Sequence, residues 1–240
     1  MERFIFDVDG TLTPSRGKMD PEFKSWFIDF IKHNKVWLVT GSDYPKTLEQ
    51  LGPEICENVV TCYNCQGNDV WFQGSRVNFK AFDPPADLIT LMNGWLFASK
   101  FPIRTGQHIE KRKGMINFSI VGRGATQCER REYVLWDSAN RERESIAYEI
   151  NSKFEGITAT VGGETGLDIH RTGSDKSQIL EDFDESDKIH FYGDKMEPGG
   201  NDYPLAKALK KYQLGFSHPV ENWKHTFNKL KSLKVKKDES

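Results

Sequence analysis

Thirteen residues near the start, Phe4 to Arg16 (FIFDVDGTLTPSR), constrain this chain more than any other stretch. The apolar run Phe4-Ile5-Phe6 predicts a short buried strand. It ends in two carboxylates one residue apart, Asp7 and Asp9, followed by Gly10 and Thr11. Strand periodicity would point both acids the same way, and a bend at Gly10 lets them surround one point at different depths. Two acids this close repel unless a cation or a shared proton separates them, which has little purpose in a structural segment. Two chemistries fit: a phosphoryl-transfer site and a calcium loop. An EF-hand loop needs further oxygen ligands and a closing glutamate, whereas Thr11, Leu12, Thr13 and Pro14 follow Gly10 and no Glu arrives on schedule. Phosphoryl transfer is the preferred reading.

The next segments predict a parallel α/β unit. Pro21 to Asn34 carries Phe23, Trp26, Phe27, Phe30 and Ile31 at helical spacing, with Asp20 as N-cap and Pro21 in the first turn. Val36 to Val39 reads as a second strand and ends in TGSD, where Thr40 or Ser42 could place a hydroxyl on a phosphate held by the first strand. Spacing alone does not choose between them. A helix over Pro45 to Leu51 follows, closed by Gly52 and Pro53. Val59 to Thr61 then reads as a strand, and Asp69 to Phe72 with Arg76 to Phe79 as a hairpin.

At Asp83-Pro84-Pro85 the character changes. Ala86 to Lys100 reads as an apolar helix. Gly114 to Arg123 and Gly156 to Arg171 alternate as strands with one exposed face, and the charged, periodic Thr126 to Phe154 between them reads as helical. This pattern lacks βαβ order and predicts an α+β insert with an antiparallel sheet. The expected division is a discontinuous core of residues 1–82 and 173–240, with residues 83–172 inserted as a cap.

The core resumes with a helix over Ser174 to Phe183. Lys176 in its first turn opposes the helix dipole unless a carboxylate or phosphate lies nearby; the bland alternative is a solvated lysine. Lys188 to Tyr192 is a strand running into GDKMEPGGND (Gly193 to Asp202), which repeats the strand-then-acid arrangement of the first motif. The lysine-rich tail after Lys229 is expected to fray. Asp7, Asp9 and Asp194 on neighbouring strand ends imply a hard divalent cation such as Mg²⁺.

Composition narrows the class. The chain has 240 residues, 37% hydrophobic and 28% charged, as a soluble globular protein does. No apolar run approaches the ~20 residues of a membrane span, and no leader precedes the first strand. Four cysteines without a secretion signal suggest reduced thiols in the cytoplasm, and the lone CxxC of Cys62 and Cys65 lacks the second pair a zinc site needs. A net charge of −2 argues against nucleic acid. Seven of the eleven arginines nonetheless lie between Arg104 and Arg143, a concentration suited to anionic groups on a small ligand. Arg141 and Arg143, among Glu142 and Glu144, read instead as a solvated ion-paired face.

The DxDGT of Asp7 to Thr11 resembles the first motif of the haloacid dehalogenase (HAD) superfamily, and TGSD its second. The resemblance implies a Rossmann-like parallel-sheet core, Asp7 as a phosphorylated nucleophile and Asp9 as general acid/base. It implies metal ligation by Asp7, the backbone carbonyl of Asp9, and Asp194, with Asp202 behind them and Lys176 beside the nucleophile. IEKRKGMINFSIVGR, Cys128 to Arg130, GGETGLDI and GDKMEPGGND together resemble eukaryotic-type phosphomannomutase over nearly the whole chain, in order. That likeness implies sugar-phosphate contacts at Arg16, Arg112, Arg123, Arg130 and Asp168, a hexose 1,6-bisphosphate activator, a hexose phosphate substrate and a homodimer through the cap. Trp95, Leu96 and Phe97 could serve such a dimer or the cap's own core. For each arginine the bland alternative is an ion pair with Glu110, Glu129 or Glu132.

Four departures from the family are visible. Gly166 stands where the family has a small hydroxyl residue, Ser174 where it has an aromatic, and Gln66-Gly67 where it has Asn-Gly. Tyr203-Pro204-Leu205 follows GGND directly, without the ligands of a second ion, which is therefore not expected. The core chemistry also suits a sugar-phosphate phosphatase, and a non-catalytic sugar-phosphate binder is disfavoured by the intact Asp7, Asp9, Lys176 and Asp194.

Overall fold

The computed structural model describes residues 1–238. The first half of the chain gives β1 (Glu2–Phe6), α1 (Pro21–His33), β2 (Val36–Val39), α2 (Tyr44–Leu51), α3 (Pro53–Cys56), β3 (Thr61–Asn64), β4 (Asp69–Phe72) and β5 (Ser75–Phe79). An insertion follows with α4 (Ala86–Ala98), β6 (Ile109–Arg112), β7 (Met115–Phe118), α5 (Gln127–Asn140), α6 (Glu142–Lys153), β8 (Ile157–Gly162) and β9 (Gly166–Arg171). The chain closes with β10 (Lys188–Gly193), α7 (Tyr203–Tyr212), β11 (Gly215–Pro219) and α8 (Trp223–Asp238). Two sheets result: a seven-stranded one in the order β11-β10-β1-β2-β3-β4-β5 and a four-stranded one in the order β6-β7-β9-β8.

β1 sits inside the larger sheet, parallel to both β10 and β2. Apolar side chains are needed on both its faces, which explains its unbroken apolar run. Phe4 and Phe6 pack on Phe23, Phe27 and Phe30 of α1. Ile5 packs on the other side with Val39 and Phe191. As expected, α1 is capped by Asp20, whose carboxylate accepts from the Glu22 and Phe23 amides.

The smaller sheet is antiparallel throughout. Ile116, Ile169 and Ala159 lie side by side across it and pack with Leu88, Met92, Tyr133, Ile146 and Ile150 of its helices. The opposite face carries the cross-strand row Glu110, Asn117, Asp168 and Thr160. Alternation is therefore present as expected. The polar face is not open to solvent, because it lies against the strand ends of the larger sheet, and Asn117 and Asp168 are both buried.

Several boundaries differ from expectation. Thr126–Phe154 is two helices, broken at Arg141, whose φ is 53°. β3 begins at Thr61, and Val59 before it is a loop residue buried in the core, which mimics a strand in a hydrophobicity pattern. Lys176–Asp182 is a 3₁₀ turn instead of an α-helix, capped by the Asp175 carboxylate. The tail expected to fray continues as helix α8 to Asp238, and its last two residues lie outside the described ones.

Candidate active site

Asp7 leaves the end of β1 and is buried, its backbone amide donating to Tyr192 O on β10 at 2.9 Å. Lys176, fully buried, donates from Nζ to Asp7 Oδ1 and to Asp202 Oδ1, each at 2.6 Å. The dipole objection to this lysine disappears, since its partners are carboxylates. Burial alone would lower its pKa, but Asp202 and Asp7 raise it overall. Asp202 Oδ2 accepts from the Lys195 amide at 3.0 Å, so both its oxygens are engaged. Asp194 approaches from the end of β10 so closely that a Cβ at Gly10 would lie 2.5 Å from its Oδ2. Gly10, with φ of 84°, is the residue that permits both the turn and the approach.

Carboxylate oxygens of Asp7, Asp194 and Asp202 lie within 4.8 Å of one another. Burial, with Asp202 and Asp194 close by, lifts the Asp7 pKa well above the carboxylate range. Burial and Asp202 push Asp194 up to about 7. Three acids thus face one buried lysine, and the surplus negative charge suits a hard cation. Asp7 and Asp194 have oxygens left for it, while Asp202 holds the lysine.

Asp9 does something different. Its Oδ1 accepts from the Arg16 amide at 2.5 Å and Gln50 Nε2 at 3.0 Å, and its Oδ2 from Ser42 Oγ at 3.0 Å. The side chain is held by this second set of donors, apart from the three-acid cluster, so the two acids of the first motif diverge. The Ser42 hydroxyl is engaged on Asp9, whereas Thr40 Oγ1 accepts from the Ser42 amide at 3.1 Å. Gln50 went unnoticed in the sequence. Its place on the buried side of α2, beside Thr47 and Leu51, was the available signal.

One cavity is lined from both sheets, by Asp7, Asp9, Thr40, Ser42 and Asp194 on one side and Arg112, Arg123, Arg130 and Asp168 on the other, with Arg16 at its edge. Burial, and then Arg130 and Arg112 nearby, lower the Arg16 pKa, so these guanidinium groups share one region. Glu110 Oε2 pairs with Arg112 and also lies 3.1 Å from Arg123 Nε. Arg112 further donates to the Gly41 carbonyl at the end of β2, and Arg123 Nη1 donates to Asn117 Oδ1 at 3.0 Å. Arg130 pairs with Glu164 at 3.2 Å. Glu129, one expected partner, is instead taken by the capping box with Thr126. Arg141 makes the expected exposed pair with Glu144. Arg143 does not: half-buried, it pairs with Asp137 at 2.7 Å and donates to Gly163 O at 3.3 Å, supporting the loop that carries Glu164.

Asp168 accepts from Gln66 Nε2, Asn117 Nδ2 and Asn201 Nδ2 at 2.7, 2.9 and 3.3 Å. Gly166 makes room for this network, since a Cβ there would lie 2.7 Å from Asn117 Nδ2. Gln66, Asn117 and Asn201 therefore hold Asp168 in place; the sequence marked Gln66 only as a departure from the family and did not single out the other two. Of the expected apolar trio, Trp95 and Leu96 pack on the core of the insertion, while Phe97 is 94% exposed.

The family model of eukaryotic phosphomannomutase matches residues 23–235. A phosphomannomutase from Arabidopsis thaliana is 31% identical over 237 residues, covering 95% of each chain. Human phosphomannomutase 1 is 33% identical over 213 residues, 84% of this chain and 81% of its own. Among solved structures, a trehalose-6-phosphate phosphatase related protein superposes with a TM-score of 0.57 at 15% identity, covering 99% of both chains. Plasmodium falciparum IMP-nucleotidase superposes with a TM-score of 0.66 at 16% identity, over 98% of this chain and 68% of that one. These two likenesses speak for the fold alone.

Proposed function

The chain belongs to the eukaryotic phosphomannomutase family, and from that premise we propose how its cavity interconverts mannose 6-phosphate and mannose 1-phosphate. The observation that carries the reading is one cavity lined both by Asp7 and by Arg112, Arg123 and Arg130. A hexose bisphosphate has one anion for Asp7 and one for the arginines. Asp7 accepts a phosphoryl group on one carboxylate oxygen, with Lys176 holding the carboxylate in place. Asp9, oriented by Ser42, Gln50 and the Arg16 amide, gives a proton to the departing sugar oxygen. It takes one back from the hydroxyl that later attacks the aspartyl phosphate.

Asp7, Asp194 and the backbone carbonyl of Asp9 would hold Mg²⁺, with Asp202 behind them, as the crowded acids support. When bound, that ion offsets repulsion between the carboxylate and the phosphoryl group. A hexose 1,6-bisphosphate primes the cycle. Residues 83–172 act as a lid, because the intermediate must turn around to present its other phosphate to Asp7. We place a homodimer contact on this lid, where Phe97 is exposed. The four cysteines are free thiols, which supports a reducing, cytoplasmic setting. Among the described residues no helix is long and apolar enough to cross a membrane.

A coupled assay with magnesium and catalytic glucose 1,6-bisphosphate tests the reading. Mannose 6-phosphate should appear from mannose 1-phosphate without stoichiometric release of inorganic phosphate. Free phosphate without isomerised sugar would instead make the enzyme a sugar-phosphate phosphatase.

A further inference from the structure

Asp168 is where the two sheets meet. It stands on β9, and two of its three amide donors, Gln66 and Asn201, belong to loops of the larger sheet. A carboxylate has about four acceptor sites, two on each oxygen. Oδ2 takes Gln66 and Asn201, and Oδ1 takes Asn117. One acceptor site therefore remains, on Oδ1.

Gln66 is built for this contact. Cys65, Gln66 and Gly67 have φ of 51°, 65° and 90°, three successive left-handed residues of which two carry side chains. Such a turn is unfavourable and persists only where its surroundings hold it. Here the Cys65 and Gln66 amides donate to Ser42 O and Thr40 O at 2.9 and 2.8 Å, and Gln178 Nε2 donates to Gln66 O at 2.8 Å. The side chain is fully buried, and its Oε1 has no donor. A strained turn and an unpaired amide oxygen are both unfavourable, and what they secure is one N–H on Asp168.

We propose that Gln66 is a positioning residue for the sugar: it anchors Asp168 Oδ2 to the core when the lid is shut and leaves Oδ1 as the single acceptor for a sugar hydroxyl. The inference rests on the phosphomannomutase reading above, in which Asp168 faces the sugar. It predicts that Asp168 reads one hydroxyl and not two, and that sugar binding and lid closure depend on the same amide.

The test uses the full chain with magnesium and two variants of similar size, Gln66→Glu and Gln66→Met. The first sets a carboxylate against Asp168, and the second removes the donor. With mannose 1-phosphate, KM should rise about tenfold or more for Gln66→Glu and less for Gln66→Met, as loss of a hydrogen bond to a charged group implies. The fall in kcat should be smaller than the rise in KM. Labelling of Asp7 by acetyl phosphate, which has no sugar to meet Asp168, should keep the wild-type rate and shows that the variants fold. If the wild type does not isomerise the sugar, the mutase reading fails by itself. If it does, and both variants keep the wild-type KM, the inference is overturned. It is overturned equally if acetyl phosphate labelling falls in step with sugar turnover, because Gln66 would then support the core at large.

Discussion

Asp7 from the larger sheet and Arg112 from the smaller one line the same cavity, yet their charges are balanced differently. Lys176, between Asp7 and Asp202, is fully buried, and so is Asp202. Nothing in that trio can leave without stranding a charge out of water. Arg112, Arg123 and Arg130 are also largely buried, but their counter-charges Glu110 and Glu164 are 28% and 36% exposed. Those acids can move into solvent when a phosphate arrives. The Lys176 trio is thus locked in place, and on the proposed reading the arginine set exchanges one anion for another. A set that must grip and release alternate phosphates needs the second arrangement.

The contrast can be broken most directly at Asp7. Asp7→Asn should lower isomerase turnover more than about a thousandfold, because in the proposed mechanism it removes the nucleophile. Retained turnover in the coupled assay would end the assignment. Lys176→Met should destabilise the fold by about 3–5 kcal/mol in urea titration, since Asp7 and Asp202 lose their shared cation. A small effect would mean that the Lys176 trio is as exchangeable as the arginine set. Arg130→Met should raise KM for mannose 1-phosphate by about ten- to a hundredfold, as loss of a charge-assisted phosphate contact implies. Labelling of Asp7 by acetyl phosphate should not change, so equal losses in both assays would show that the two sets are not separable. The smallest and sharpest change is Glu110→Gln. If Glu110 competes with substrate for Arg112 and Arg123, KM should fall by about two- to fivefold, an effect the size of one weakened ion pair. A higher KM would show that Glu110 aims the arginines and does not compete.

Legibility followed the range of the interactions. Asp7, Asp9 and Asp194 could be singled out because an apolar strand precedes them and glycine adjoins Asp9 and Asp194, so a local pattern marks them. Lys176 was half readable, since its unfavourable place in a first turn demanded a negative neighbour without naming one. Gln50, Asn117 and Asn201 were not readable, and Gln66 stood out only as a departure from the family, without its partner. Gln66 meets Asp168 from 102 residues away, and nothing near an isolated amide marks it as buried. The arginine partners show the same limit. Glu129 is the neighbour in sequence, yet Arg130 pairs with Glu164 across the insertion, while Arg143 turns inward to Asp137 and a loop carbonyl. The fold class was legible from the order of apolar runs, but the break at Arg141 and the 3₁₀ turn at Lys176 depend on packing between elements.

The row of Glu110, Asn117, Asp168 and Thr160 across the smaller sheet also bears on what happens between turnovers. On the proposed reading, in which residues 83–172 open as a lid, this face meets water with groups that water solvates well, and the greasy side stays covered by its helices. An opened molecule therefore shows no sticky surface along that row, and repeated gaping need not feed aggregation.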